Sequence, residues 1–281
     1  MRRTSGLQRR TNRKLLLIGG PFVLAFLALY VAPMLMTAGY SLLDNSFAKG
    51  FAGLSNYVRV WQNAWFQLAL RNTAVLTLLL VGAASALALT LGFLLYRHDR
   101  AALPALMVLL LPLFLPSASV TLLWRSAFRT NAFSAPATAY AAVTSLFVWK
   151  YAGVGAMLVY IGLKRVPENV LEAASLDGAS QICVYARISL PLIRQQLTLM
   201  ALFFLMYAFR IYKEAYLLFG EYPCDCMYLI QHYMSNHFLK LNFQNVATAA
   251  VSLSTLALLC YGAAWLLALR RRNRSEGGRR A

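Results

Sequence analysis

Acidic side chains are scarce in this sequence: nine Asp and Glu stand against 27 Lys and Arg in 281 residues. Chemistry that holds hard cations needs several clustered carboxylates, and no stretch of the chain gathers them. Charge of either sign is thin, at 13% of residues, and 60% are hydrophobic. A soluble domain carries about a quarter charged residues, so this composition excludes one and identifies a membrane protein. Cysteine is sparse too. Cys183, Cys224, Cys226 and Cys260 are scattered and form no disulfide framework. Cys224 and Cys226 could be grouped with His232 and His237 as zinc ligands, but their one-residue spacing is tighter than the usual two to four. Exposed loop residues, with a disulfide to another partner as an option, fit better, and no metal site is expected. Also missing is a glycine loop ending in Gly-Lys-Ser/Thr, so the chain has no phosphate cradle with which to hydrolyse ATP itself. No catalytic residue and no cofactor is expected.

What is abundant is apolar sequence. Runs at roughly 15–38, 73–96, 101–124, 138–163, 198–219 and 246–269 each approach the roughly 20 residues that cross a bilayer as a helix. The first is longer than the roughly 7–15-residue core of a signal peptide, which favours a retained helix. Six crossings put both termini on one side. The net charge of +18 then has a topological meaning before any nucleic-acid one. Eighteen Lys and Arg fall in the two tails and the even-numbered connections, six fall in the opposite loops, and Lys150, Arg210 and Lys213 lie within helices. The threefold excess places both termini and the 164–191 connection in the cytoplasm. The expected organisation is a basic tail at 1–14, a transmembrane domain at 15–270 and a second basic tail at 271–281.

Between the fourth and fifth runs lies a mixed island, PENVLEAASLDGASQICVYARISLP, from Pro167 to Pro191. Pro167 suits a helix first turn and Glu168 its positive end. Val170, Ala173 and Ala174 share a helical face. Asp177-Gly178 breaks the pattern, Gly for its backbone freedom and Asp as a cap for the next helix. A second short helix from about Ala179 to Ile188 carries Ile182 and Tyr185 on one side. The island predicts helix, tight bend, helix.

Glu172-Ala173-Ala174, Asp177-Gly178-Ala179, Tyr185, Ile188 and Leu190-Pro191 together resemble the "EAA" loop of ABC importer permeases. Gly53-Leu54-Ser55-Asn56-Tyr57, followed by Asn72-Thr73, is similar to the sugar-type members, in particular the first-subunit kind of maltose and glycerol-3-phosphate importers. The resemblance covers about Phe51 to the last helix and departs at Phe219-Gly220-Glu221-Tyr222-Pro223, where the family usually has Gly-Gly-Pro. It implies an all-α membrane protein of six transmembrane helices in the bacterial cytoplasmic membrane, with a cytoplasmic coupling helix between helices 4 and 5. Glu172, Ala173, Ala174, Asp177, Gly178 and Ala179 would be the residues that couple to an ATPase. The implied partners are a second permease subunit, two ATPase subunits that bind the ATP, and an extracytoplasmic solute-binding protein, with membrane lipid around them. The implied activity is import of a sugar or related solute, and a nucleic-acid partner is not expected.

The charges inside the helices are the remaining signal. A central Lys or Arg costs about 2.5–3.5 kcal/mol on insertion scales, so such residues face a bundle interior or water. Lys150 lies deep in the fourth run; Arg210, Lys213 and Glu214 lie in the fifth. Arg210 and Glu214, at i and i+4, are expected to pair. Either the four residues line a solute path or they form structural ion pairs. Two other functions fit the composition. An ion-driven secondary transporter needs intramembrane acids, and Glu214 alone qualifies; a membrane phosphotransferase needs more carboxylates than Glu168, Glu172 and Asp177 supply.

Overall fold

The computed structural model describes residues 19–44, 50–128 and 135–277, with side chains through Leu259. The basic tail at 1–14, Lys49, Arg129, Cys260 and the side chains of the second basic tail lie outside the described residues. The described chain is helical, with one isolated β-bridge between Leu43 and Phe51. It resolves into two compact units, Ala64–Tyr233 and Met1–Asn63 with Met234–Ala281.

Three helices are long and apolar enough to cross a membrane: α1 (Gly19–Ser41), α3 (Ala64–Arg97) and α6 (Pro136–Leu163). Two bent pairs raise the number to five among the described residues. In the first, α4 (Asp99–Phe114) meets α5 (Ser117–Ala127) at 96°. The straight crossing expected at 101–124 is therefore corrected. Leu115 and Pro116 are extended, at ψ 136° and 133°. Proline lacks the N–H a continuing helix needs and pushes the residue before it out of the helical region, so the chain turns there. The second bend, 79°, lies at Ile193, between a helix over Gln181–Leu192 and the segment Arg194–Phe219.

In the smaller unit the GLSNY stretch has a structural task. Gly53 takes φ +57°, and α2 (Ser55–Gln62) follows. Buried Asn56 donates from Nδ2 to the carbonyls of Ser41 (3.0 Å) and Leu43 (2.7 Å). The Ser41 hydroxyl meets the Tyr57 hydroxyl at 2.7 Å. These bonds satisfy carbonyls left open where α1 ends. The last helix, Phe243–Gly277, joins the same knot through Thr248, whose hydroxyl donates to Gln244 at 2.7 Å and lies 3.4 Å from the Ser41 carbonyl.

In the larger unit α3 and α6 pack along their length around small residues. Ala84 and Ala88 are fully buried, and a Cβ at Gly155 would strike both Ala88 and Phe204. A Cβ at Gly153 would meet the Leu109 backbone of α4. Small residues let helices approach closely where lipid offers no hydrophobic drive. Asn72 and Thr73 hold the segment after the fifth run: Asn72 donates to the carbonyls of Asp225 (2.6 Å) and Tyr228 (3.1 Å), and the Ile230 N–H donates to Thr73 (2.9 Å).

Candidate functional site

Two constellations in the larger unit stand out: the hairpin after α6 and a buried charge cluster. The hairpin is built as α7 (Glu168–Leu176), a bend at Gly178, and α8 (Gln181–Leu192), whose middle winds as a π-helical turn over Tyr185–Ser189. Gly178 sits at φ +77°, a left-handed angle that costs other residues roughly 1–2 kcal/mol. Two local expectations are corrected. Pro167 stands as the extended residue before the helix, and Ser180 rather than Asp177 caps α8, accepting from the Cys183 N–H at 3.3 Å.

The hairpin has an anchored face and an open one. Ala174 is buried, and the Tyr185 hydroxyl donates to the Leu89 carbonyl of α3 at 2.8 Å while its ring lies 4.5 Å from that of Phe93. Ile182 therefore does not share the anchoring role of half-buried Tyr185. It is 72% exposed, and Leu176 at the other side of the bend is 88% exposed. Glu172, Ala173, Asp177 and Gly178 are exposed and Ala179 is half-buried. Between the hairpin and the end of α3 is a cavity of about 440 Å³, lined by Tyr96, Arg97, Leu171, Ser175 and Tyr185 among others. Beside it Lys164 donates to Asp99 at 3.0 Å, which raises the lysine pKa above its ordinary value, and Tyr160 donates to the same carboxylate at 2.6 Å.

The charge cluster joins three helices. Lys150 of α6 donates to Glu214 Oε1 and to Ser117 Oγ, each at 2.9 Å, and the Ser117 hydroxyl donates to Glu214 Oε1 at 2.7 Å. Both charged side chains are buried, at 6% and 5% exposure. The expected Arg210–Glu214 pair does not form. α9 (Arg194–Phe209) ends before Arg210, and α10 (Tyr212–Phe219) starts after Ile211, so the i,i+4 register is interrupted. Glu214 instead meets the first residue of α5, where the helix dipole favours an anion. Ser117 was not visible from spacing; its only signal was a serine directly after the proline that bends the chain.

Arg210 and Lys213 stay exposed, and among the described residues no carboxylate lies within ion-pair distance of either. The Arg210 guanidinium lies 5.7 Å from the centre of the Tyr207 ring. Tyr207 is 4.6 Å from both Tyr151 and Phe203, making an aromatic wall that ends in a cation. In the segment after α10 Cys224 and Cys226 are half-buried thiols, and His232 accepts the Leu229 N–H at 3.1 Å. Burial pushes the His232 pKa down to about 4, partly offset by the Gly220 carbonyl.

The comparisons with known proteins agree on one family. The family described as "Binding-protein-dependent transport system inner membrane component" matches residues 79–275. The sulfoquinovosyl glycerol transport system permease protein SmoG of Agrobacterium fabrum is 26% identical over 280 residues, covering 91% of this chain and 89% of its own. The trehalose/maltose transport system permease protein MalF of Thermococcus litoralis is 24% identical, with 91% and 93% covered. The trehalose transport system permease protein SugA of Mycobacterium tuberculosis is 29% identical, with 70% and 73% covered. Among solved structures, a bacterial ABC transporter that imports the acidic polysaccharide alginate matches at TM-score 0.75 and 20% identity, over 90% of this chain and 94% of that one, which establishes a shared fold. The chain thus belongs to the inner membrane components of binding-protein-dependent transport systems, among the permeases of sugar ABC transporters.

Proposed function

We propose that this chain imports a saccharide or a related solute as one permease subunit of an ABC importer, and that the 168–192 hairpin couples it to ATP hydrolysis on separate ATPase subunits. In this reading the chain crosses the membrane six times with both termini inside. It works with a second permease, two ATPase subunits and an extracytoplasmic binding protein; one related fold was solved with such a periplasmic protein bound. Catalysis of ATP hydrolysis belongs to the partner subunits. The relatives' solutes range from trehalose and maltose to alginate, so family membership leaves the solute class open.

The observation that carries the proposal is the open face of the hairpin. Leu176 and Ile182 flank the bend at 88% and 72% exposure, while Tyr185 ties the opposite face to α3. Paired exposed aliphatic groups on a rigidly anchored polar element mark a protein interface. Glu172, Ala173, Ala174, Asp177, Gly178 and Ala179 keep that element slender enough for a cleft to close over it. Lys150 and Glu214 hold the bent α4–α5 pair to α6 and α10, and Arg210 and Lys213 face the solute path. The test is co-purification of the ATPase subunits with Leu176→Asp/Ile182→Asp. Both side chains are exposed, so the permease should insert normally and lose the ATPases at least tenfold; retention at wild-type stoichiometry would refute the coupling role.

A further inference from the structure

The depth of Arg210 is set by the Lys150–Glu214 pair. α6 has 28 residues, about 42 Å at 1.5 Å per residue, and Lys150 is within one residue of its midpoint. Glu214 bonds directly to it at 2.9 Å, so α10 passes the same level. Arg210 lies four residues earlier, across the turn at Ile211, so even a fully extended chain puts it no more than about 14 Å away, within the roughly 15 Å half-thickness of the hydrocarbon core. It is exposed there, on a side chain whose charge is costly to place in lipid. A water-filled path removes that cost.

The surroundings of Arg210 have a definite chemistry. Lys150 is neutralised by Glu214, so among the described residues the uncompensated charge at this level is positive and belongs to Arg210, with Lys213 about one turn on. The wall beneath it is Tyr207 and Phe203, both half-buried, backed by buried Tyr151. Half-open aromatic faces accept the apolar side of a pyranose ring. A guanidinium held 5.7 Å from a tyrosine ring centre, with no carboxylate in ion-pair distance among the described residues, keeps its planar N–H edge available for two parallel bonds to an oxyanion.

We propose that Arg210, with the Tyr207–Phe203 wall, selects a saccharide bearing an oxyanionic group, so that the imported solute is an acidic sugar. The proposal rests on the solute path placed at Arg210. Tyr207 carries the ring and Arg210 the carboxylate or an equivalent oxyanion; Lys213 adds long-range attraction without fork geometry. A neutral sugar leaves the guanidinium with water alone and forfeits the bidentate pair.

Met206 shares the Arg210 face at i and i+4 and is 51% exposed. A Met206→Cys variant in a cysteine-free background, in the assembled complex in proteoliposomes, reports on occupancy through its modification by a charged thiol reagent. The probes are a glucuronate-containing disaccharide and the same disaccharide with its carboxyl reduced to the alcohol. The acidic probe should slow modification at a concentration at least tenfold lower than the neutral one. Arg210→Gln should abolish that difference, and Arg210→Lys should restore part of it. Equal protection by both probes, protection by neither, or a preference kept in Arg210→Gln would overturn the proposal while the path reading stands. A cysteine that never reacts with the charged reagent would place this face against lipid or a partner subunit and overturn both.

Discussion

Removing one member of the Lys150–Glu214–Ser117 cluster should cost far more than removing its charges together. Glu214→Gln leaves the buried Lys150 ammonium, at 6% exposure, without a counter-charge at the middle of the membrane-length helix α6. An unpaired charge there costs about 2.5–3.5 kcal/mol on insertion scales, and breaking buried pairs elsewhere costs about 3–5 kcal/mol. About 3 kcal/mol per single variant is the reasonable expectation, for Glu214→Gln and Lys150→Met alike. The double variant Lys150→Met/Glu214→Leu removes both charges and refills the space, at a cost of about 1 kcal/mol or less, since apolar replacement of a buried pair is often neutral. Ser117→Ala loses its hydrogen bond to the carboxylate, about 1.5–3 kcal/mol, together with the one it accepts from Lys150, and keeps the ion pair. At roughly 2–4 °C per kcal/mol, each charge variant should lower the Tm of the purified complex by about 6–12 °C, and the double variant by about 4 °C or less. Tm and the assembled fraction, measured across the cycle, give the coupling. A double variant that loses the sum of the two singles, or singles that melt like wild type, would refute the cluster as the joint between α5, α6 and α10.

Gly178→Val should leave insertion intact, because nothing lies within 4 Å of a Cβ there, and should reduce transport per assembled complex sharply, because φ +77° resists a β-branched residue. Single cysteines at Ser55 and Asn242, in a cysteine-free background, should react with impermeant thiol reagents outside intact cells, while one at Ser175 should not; labelling at Ser175 would contradict the inside placement of the hairpin. His232 is neutral in the fold, with a pKa of about 4 against 6.5 ordinarily. Its contribution of roughly 3 kcal/mol is therefore complete above pH 6.5 and lost as pH falls towards 4. Tm should drop across that window, and His232→Gln should flatten the drop.

The hairpin was legible from residues because its signals were local: Glu168 opening the helix and Gly178 at the left-handed bend between the two helices, although of the two alanines only Ala174 packs inward. The family motifs were legible as signatures but not as mechanics. Asn56 and Tyr57 turn out to close the end of α1, and Asn72 and Thr73 to hold the segment after α10, bonds made across sequence separations that no spacing rule anticipates. The charge cluster failed for a related reason. The i,i+4 rule assumes an unbroken helix, and the turn at Arg210–Ile211 breaks it. The true partner of Glu214 lies 64 residues away, and the third member, Ser117, is placed by a proline bend that reads from sequence as ordinary apolar span.

The central claim is that solute movement through this subunit is driven by ATP hydrolysed on its partners and passed through the hairpin. Uptake of labelled solute into proteoliposomes holding the complete complex, with ionophores collapsing every ion gradient, tests it most directly. Uptake should require ATP on the hairpin side, persist without gradients, and vanish in Leu176→Asp/Ile182→Asp; uptake that follows an ion gradient and ignores ATP would contradict the account.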